Sequence, residues 1–311
     1  MKRDSLKMAL IISGAIFLCR AYAQEILHPF IFDDTSVFRN ISNNGKWATA
    51  YASTGDGHYS DPKLVDLTTY TVKELLGKDN SEMVYASAND VTDDGSMVVG
   101  SRENQPAIYL TTSQRWWILN QLPDSCTGGI INAITPDGRF AVGKGTYPEN
   151  EYTENIAFWD LTHEEPELVQ LPDIPLADMV GDTTYQRRLT DIAPDGNTVL
   201  GCVSYSYVQP AGIYYFIYNR STRKFQPIGF DVSKHNGKAV WTPRTNGLYY
   251  IETAQMSANG AYITGEAYFT FPTEDPNIPR DERKGYVYDI MQDKFSVIEA
   301  QEEMPGFVVS D

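Results

Sequence analysis

Hydrophobic positions recur along this chain in one fixed arrangement. An apolar residue stands three positions before an Asn or Asp, a Gly follows at once, and β-branched or apolar residues come next, closed by a small residue. The phrase occurs five times, as ISNNGKWATA from residue 41, VTDDGSMVVG from 91, ITPDGRFAVG from 134, IAPDGNTVLG from 192 and MSANGAYITG from 256. The glycines Gly45, Gly95, Gly138, Gly196 and Gly260 lie 50, 43, 58 and 64 residues apart. Self-similarity at such a period marks one supersecondary unit, copied and stacked because a single copy cannot bury its own apolar face. Asn-Gly and Asp-Gly predict a type I′ turn, with positive φ at both residues, joining two antiparallel strands. The closing small residue (Gly100, Gly143, Gly201, Gly265, and Ala50 in the first copy) predicts a strand whose backbone lies close to a neighbour.

Behind each hairpin stands a second pair of strands: PKLVDLTTYTVKELL, PAIYLTTSQRWWIL, IAFWDLTHEEPELVQL, GIYYFIYNRSTRKFQPI and GYVYDIMQDKFSVI. Each is an aromatic or aliphatic run, a short polar turn and another run. Four short strands per unit predict an all-β propeller of five four-stranded blades. The leftover ends, Gln24 to Asp34 and Ala300 to Asp311, both read as strand. They predict that the chain ends meet, in a terminal blade or as a sixth one, which would remove exposed sheet edges.

The repeated phrase resembles the HAF-type and TolB-like repeats of secreted bacterial β-propellers, over about Phe38 to Glu299. The resemblance implies a fold; function has to come from a site.

The four strands of a blade, a to d, put the a–b and c–d turns on one face and the b–c and d–a connections on the other. Tight turns are expected only on the first face. The long connections Ser53 to Asp61, Tyr147 to Asn155, Ser204 to Pro210, Phe269 to Lys284, Pro172 to Arg188 and Phe230 to Gly247 fall on the second. Variable loops on a rigid scaffold carry recognition, so Tyr59, Tyr147, Tyr152, Tyr205, Tyr207, Trp241, Phe269 and Phe271 are the candidate ligand-binding residues.

Residues 1–23 have a basic start, an apolar run from Met8 to Leu18 and the small-x-small pattern Ala21-Tyr22-Ala23, which together predict a secretory signal peptide. The run is shorter than the ~20 residues of a transmembrane helix. Residues 24–311 are then expected as a single domain, exported to the periplasm or the cell exterior. Acidic residues outnumber basic ones by 41 to 25, a net charge of −16. That balance argues against nucleic acid and anionic membrane as partners. It suits a solvated surface, or attraction to a cation or a basic partner. Twenty tyrosines and five tryptophans fit pleated surfaces.

Catalytic motifs are missing from the sequence: no Gly-x-Ser-x-Gly elbow, no His-Glu-x-x-His and no Gly-rich phosphate loop. The four histidines have no metal-ligand spacing. Asp56, His58 and Asp61 are the residues a cation would use, although a hydrophilic loop accounts for the same letters. Asp94, Asp137 and Asp195 stand directly before turn glycines and read as structural. No cofactor is expected. Cys126 and Cys202 remain after cleavage, and export permits a disulfide between them or two free thiols. The expected function is a secreted non-catalytic binding or scaffold propeller that engages a protein partner through its long-connection face. The alternative is a glycan-binding module on that face. Less favoured is an enzyme with carboxylates from different loops paired roughly 5–10 Å apart.

Overall fold

A computed structural model of the chain describes residues 6–12, 15–21, 36–53, 59–75, 85–148, 154–172, 185–205, 212–235, 238–271 and 280–298. Within the expected signal peptide, β1 (Leu6–Ile12) and β2 (Ala15–Ala21) form an antiparallel ribbon of their own. Five antiparallel meanders follow. The first is β3 (Ser36–Ile41), β4 (Trp47–Ser53), β5 (Tyr59–Asp66) and β6 (Thr71–Glu74). The second is β7 (Ala86–Val91), β8 (Met97–Arg102), β9 (Gln105–Leu110) and β10 (Arg115–Ile118). The third is β11 (Gly128–Ile134), β12 (Phe140–Thr146), β13 (Glu154–Asp160) and the short β14 (Glu167–Leu168). The fourth is β15 (Tyr185–Ile192), β16 (Thr198–Tyr205), β17 (Gly212–Asn219) and β18 (Lys224–Pro227). After a separate hairpin, β19 (Phe230–His235) and β20 (Lys238–Pro243), comes the fifth. Its first strand is broken into β21 (Leu248–Ile251) and β22 (Gln255–Met256), and β23 (Tyr262–Phe271), β24 (Arg280–Asp289) and β25 (Lys294–Val297) complete it.

The recurring phrase builds its hairpin by a route other than the expected type I′ turn. Only the glycine has positive φ, +73° at Gly45 and +75° at Gly138, and the Asn or Asp before it does not. The Gly45 N–H donates to the Ser42 carbonyl and the Ser42 N–H to the Trp47 carbonyl. This is a type I turn followed by a left-handed glycine. The preceding carboxylate or amide closes it: Asp94 Oδ1 accepts from the Thr92 hydroxyl at 2.8 Å and the Ser96 N–H at 2.9 Å. The Thr92 hydroxyl in turn accepts from the Met97 N–H at 3.1 Å. Ser42 with Asn44, Thr135 with Asp137 and Ser257 with Asn259 repeat the hydroxyl–carboxyl or hydroxyl–amide bond. These Asx-type bonds explain why the phrase keeps Asn or Asp there.

Six residues before the glycine, each complete first strand carries a bulged residue, Arg39, Asn89, Asn132 and Thr190. The bulge pushes a carbonyl onto the partner strand, so a Cβ on Gly100 would collide with the Ser87 carbonyl and one on Gly143 with that of Ile130. The closing glycines meet a close backbone, as their composition predicts.

Apolar side chains bury between meanders rather than within them. Leu64 and Leu75 of the first pack with Val98 and Tyr109 of the second, and Val99 and Ile108 of the second with Ile131 and Trp159 of the third. A larger core joins the third, fourth and fifth through Phe158, Phe216, Ile263 and Tyr286.

Other expectations need correction. Phe230 to Gly247 is no plain connection, because β19 and β20 pair within it. Its base is held by Phe230, buried edge-on against Tyr214 at 5.5 Å, and by Arg244, which pairs with Asp231 and Asp293. Tight turns are not confined to one face: β8 and β9 join through Glu103 and Asn104, both at positive φ (51° and 60°), a b–c connection of type I′ form. Tyr185 to Arg188 belongs to a strand, as do Phe269 to Phe271 and Arg280 to Lys284. The chain ends expected to meet lie outside the described residues.

Candidate functional site

The first strands of all five meanders converge on one cavity of about 660 Å³. Its rim includes the turn residues Asn43, Asn44, Pro136, Pro194 and Ala258, and its walls run inward along β3, β7, β11, β15 and β22. Two tiers of polar side chains line it.

The outer tier comes from the bulges. Asp90, 7% exposed, accepts from its neighbour Val91 N–H at 2.8 Å and, across the junction, from Ile134 N–H at 2.9 Å. The Asn40 amide of the first meander donates to the same carboxylate at 2.9 Å. Asp191 repeats this two junctions further on, accepting from Ile192 N–H at 2.8 Å and Met256 N–H at 3.0 Å. The bulged asparagines add bonds to carbonyls, Asn89 to Ile131 and Asn132 to Leu189, both at 2.7 Å. Side chains at two adjacent positions thus tie each first strand to the next. Burial pushes the Asp90 carboxyl up to about 8, against the pull of the Ile134 N–H and with the charge of Asp191 adding to the rise. Burial likewise pushes Asp191 up to about 6, against the N–H groups of Met256 and Ile192. These paired carboxyls serve as clips for backbone, which is a structural use of acids in a cavity wall.

The inner tier comprises Lys144 on β12, Arg188 on β15, Cys202 on β16 and Tyr215 on β17. Lys144 pairs with Glu154, which is buried and whose second oxygen has no hydrogen-bond partner. Arg188 donates its Nε–H to the Cys202 sulfur at 3.4 Å. Burial pushes the Cys202 thiol up, with the Arg188 guanidinium pulling the other way, so the thiol is neutral. The Tyr215 hydroxyl donates to the Glu252 carbonyl at 3.2 Å. Both Cys126 and Cys202 are free thiols.

Of the loop residues expected to bind, Tyr147, Phe269 and Phe271 have described side chains. Phe269 is 1% exposed in the core, since β23 extends through it and its ring stacks on Phe271 at 6.2 Å. It is a packing residue, and Phe271 is half-buried beside it. Tyr147 is half-buried and accepts a bond from the Asn155 amide at 3.4 Å. Tyr59 opens β5, Tyr205 closes β16 and Trp241 lies in β20. Tyr152 and Tyr207 lie outside the described residues. So do Asp56 and His58 of the candidate cation loop, while Asp61 is a bulged residue of β5 at φ 65°.

Sequence reasoning missed a second surface feature, a ladder of tyrosines on the fifth meander. Tyr250 and Tyr268 stack at 4.8 Å with planes 18° apart, and the exposed Tyr249 meets Tyr250 edge-on at 5.5 Å. Arg283 lies beside it, paired with Glu252 at 2.7 Å and Glu266 at 2.5 Å. Tyr249-Tyr250 and Tyr268 sit in the sequence without motif spacing, and only cross-strand register unites them. The cavity tiers did leave a signal: reading the repeat two residues further upstream gives Arg39-Asn40, Asn89-Asp90, Asn132-Ala133, Thr190-Asp191 and Ala254-Gln255.

No family model and no curated protein matches the sequence. Solved structures do. The chain is similar to the putative TolB from Agrobacterium tumefaciens, with a TM-score of 0.50 and 13% identity over 84% of this chain and 80% of that one. It is also similar to the β-propeller domain of the Trilobed protease from Pyrococcus furiosus, with a TM-score of 0.44 and 12% identity over 86% and 72% of the two chains. An oligogalacturonate lyase from Vibrio parahaemolyticus matches with a TM-score of 0.45 and 12% identity over 96% and 86%. Identities this low speak to fold alone. Successive antiparallel meanders, cores between them, first strands around one cavity and the likeness in fold to the putative TolB make this chain an all-β propeller.

Proposed function

We propose that the chain is an exported, non-catalytic binding propeller of five blades, its residues 1–23 a signal peptide, and that it engages a protein partner through the face carrying its b–c and d–a connections. One observation carries this reading: the a–b turns are short and locked by their own Asx bonds, whereas the connections at the other ends of the strands are long, Glu103-Asn104 excepted. Locked turns hold shape, and variable loops on a rigid scaffold supply recognition. The cavity carboxyls support the non-catalytic side of the reading, because their oxygens clip backbone N–H groups of neighbouring strands.

A glycan-binding role is the second reading, and the Tyr249–Tyr250–Tyr268 ladder favours it. Flat rings bordered by Glu252, Glu266 and Arg283 offer stacking and hydrogen bonds together. The test is affinity capture from the envelope of an expressing bacterium beside a glycan array. Protein binding should drop at least tenfold in Tyr147→Ala with Tyr152→Ala and stay unchanged in Arg139→Gln on the tight-turn face. Binding to an oligosaccharide that is lost in Tyr249→Ala with Tyr268→Ala would instead establish the second reading. Capture that fails only in Arg139→Gln would place the working surface on the opposite face.

A further inference from the structure

Arg188 is a half-buried cation in an unusual position. Its Nε–H goes to a neutral thiol, and among the described residues no carboxylate lies within ion-pair distance of it. A guanidinium has five N–H donors in a planar fork, so the Cys202 contact leaves its bidentate edge unused. Arg188 lines the 660 Å³ cavity, with Lys144 as a second cation on the same wall. Glu154 pairs with Lys144 and its charge also favours the Arg188 guanidinium, so one carboxylate serves the two cations of the inner tier and one positive charge is left over. Taking a charge out of water with incomplete compensation is costly. A cation held this way inside a chain of net charge −16 calls for an anion the cavity can admit.

We propose that the inner tier of the cavity is a binding site for a small oxyanion, held by the Arg188 fork with Lys144 on the same wall. A planar carboxylate or a tetrahedral oxyanion matches two parallel N–H donors. The Asn132 and Thr190 side chains, on the bulges just outward of this tier, border the space such a ligand would occupy. The site is separate from the connection face, so it does not rest on the protein-binding reading.

The experiment uses the mature chain at fixed ionic strength with chloride as the balancing anion. Calorimetry and thermal shift are run against inorganic phosphate, acetate and succinate. Saturable binding of at least one of them is expected, weakened at least tenfold in Arg188→Gln and unchanged in Arg139→Gln, whose guanidinium sits on an exposed turn. Circular dichroism checks that each variant folds. Should Arg188→Gln not fold, a crystal of the unaltered protein soaked in selenate decides: anomalous density on the Arg188 fork supports the site, and its absence there overturns it. Binding no stronger than that of chloride, or saturable binding that survives Arg188→Gln, would also overturn the proposal.

Discussion

Asp90 shows how one residue's burial becomes a property of the whole chain. Its carboxyl is raised to about 8 by burial, and that of Asp191 to about 6. A raised acid binds its proton more tightly in the folded state than in the unfolded one, so ionising it costs stability. Stability contributed this way is lost as pH rises from the ordinary carboxylate range, near about 4, through about 6 for Asp191 and about 8 for Asp90. The turn carboxylates act in the opposite sense. Hydrogen bonding from the Thr68 hydroxyl leads the drop of Asp66 to about 2, and turn hydroxyl and N–H donors hold Asp94 and Asp137 low against their burial. Their stabilisation is lost as pH falls below about 4. The thermal midpoint should therefore decline from pH 5 to pH 8. Asp90→Asn should flatten the decline between 6 and 8 while lowering stability overall by about 1–3 kcal/mol, because an amide N–H₂ then faces backbone donors. Calorimetric scans at several pH values read both effects. A midpoint that rises between pH 5 and 8, or an unchanged slope in the variant, would refute the assignment.

At the scale of the element, the hairpin phrase was legible in sequence and its turn geometry was not. Asn-Gly and Asp-Gly suit a type I′ turn, yet in all five copies the Asn or Asp side chain accepts from the N–H two residues on, at Lys46, Ser96, Arg139, Asn197 and Ala261, and only the glycine is left-handed. The glycines then differ by what surrounds them. A Cβ at Gly45 would meet nothing within 4 Å, whereas one at Gly196 would overlap the Phe140 ring. Gly45→Ala should cost about 1 kcal/mol for the backbone strain alone. Gly196→Ala adds overpacking and should cost about 2–4 kcal/mol. Equal losses in denaturant unfolding would show that the ring yields freely. The bulges were equally hidden, since a bulge depends on the partner strand and not on local letters. The β19–β20 hairpin escaped for a related reason: its anchors, Tyr214 and Asp293, come from other meanders.

For the whole molecule, the repeat announced the propeller, while the cavity needed tertiary structure to become visible. Lys144, Arg188 and Cys202 are scattered over three strands, and only the convergence of meanders makes them neighbours. The same scale exposes unfinished packing. Large apolar side chains left exposed fall at the two ends of the series, with Val37, Tyr70 and Val72 on the first meander, Tyr85 just before the second, and Tyr249, Tyr262, Met291 and Ile298 on the fifth. Among the described residues the third and fourth meanders show none. Inner units of a stacked array have two neighbours and terminal units lack one, so something is expected to cover the first and last. The strand-like segment Gly306-Phe307-Val308-Val309 has the composition to do it, and closure through it would also pair open sheet edges. Phe307→Ala combined with Val309→Ala should then destabilise the full chain by about 2–4 kcal/mol, the range for truncating buried large side chains. It should also raise the binding of a hydrophobic dye. Hydrogen exchange in the variant should speed up first in β3 and β25, and last in β11 and β16. Unchanged stability and an unchanged exchange pattern would mean that this segment closes nothing, and that the apolar residues of the terminal meanders face solvent or a separate chain.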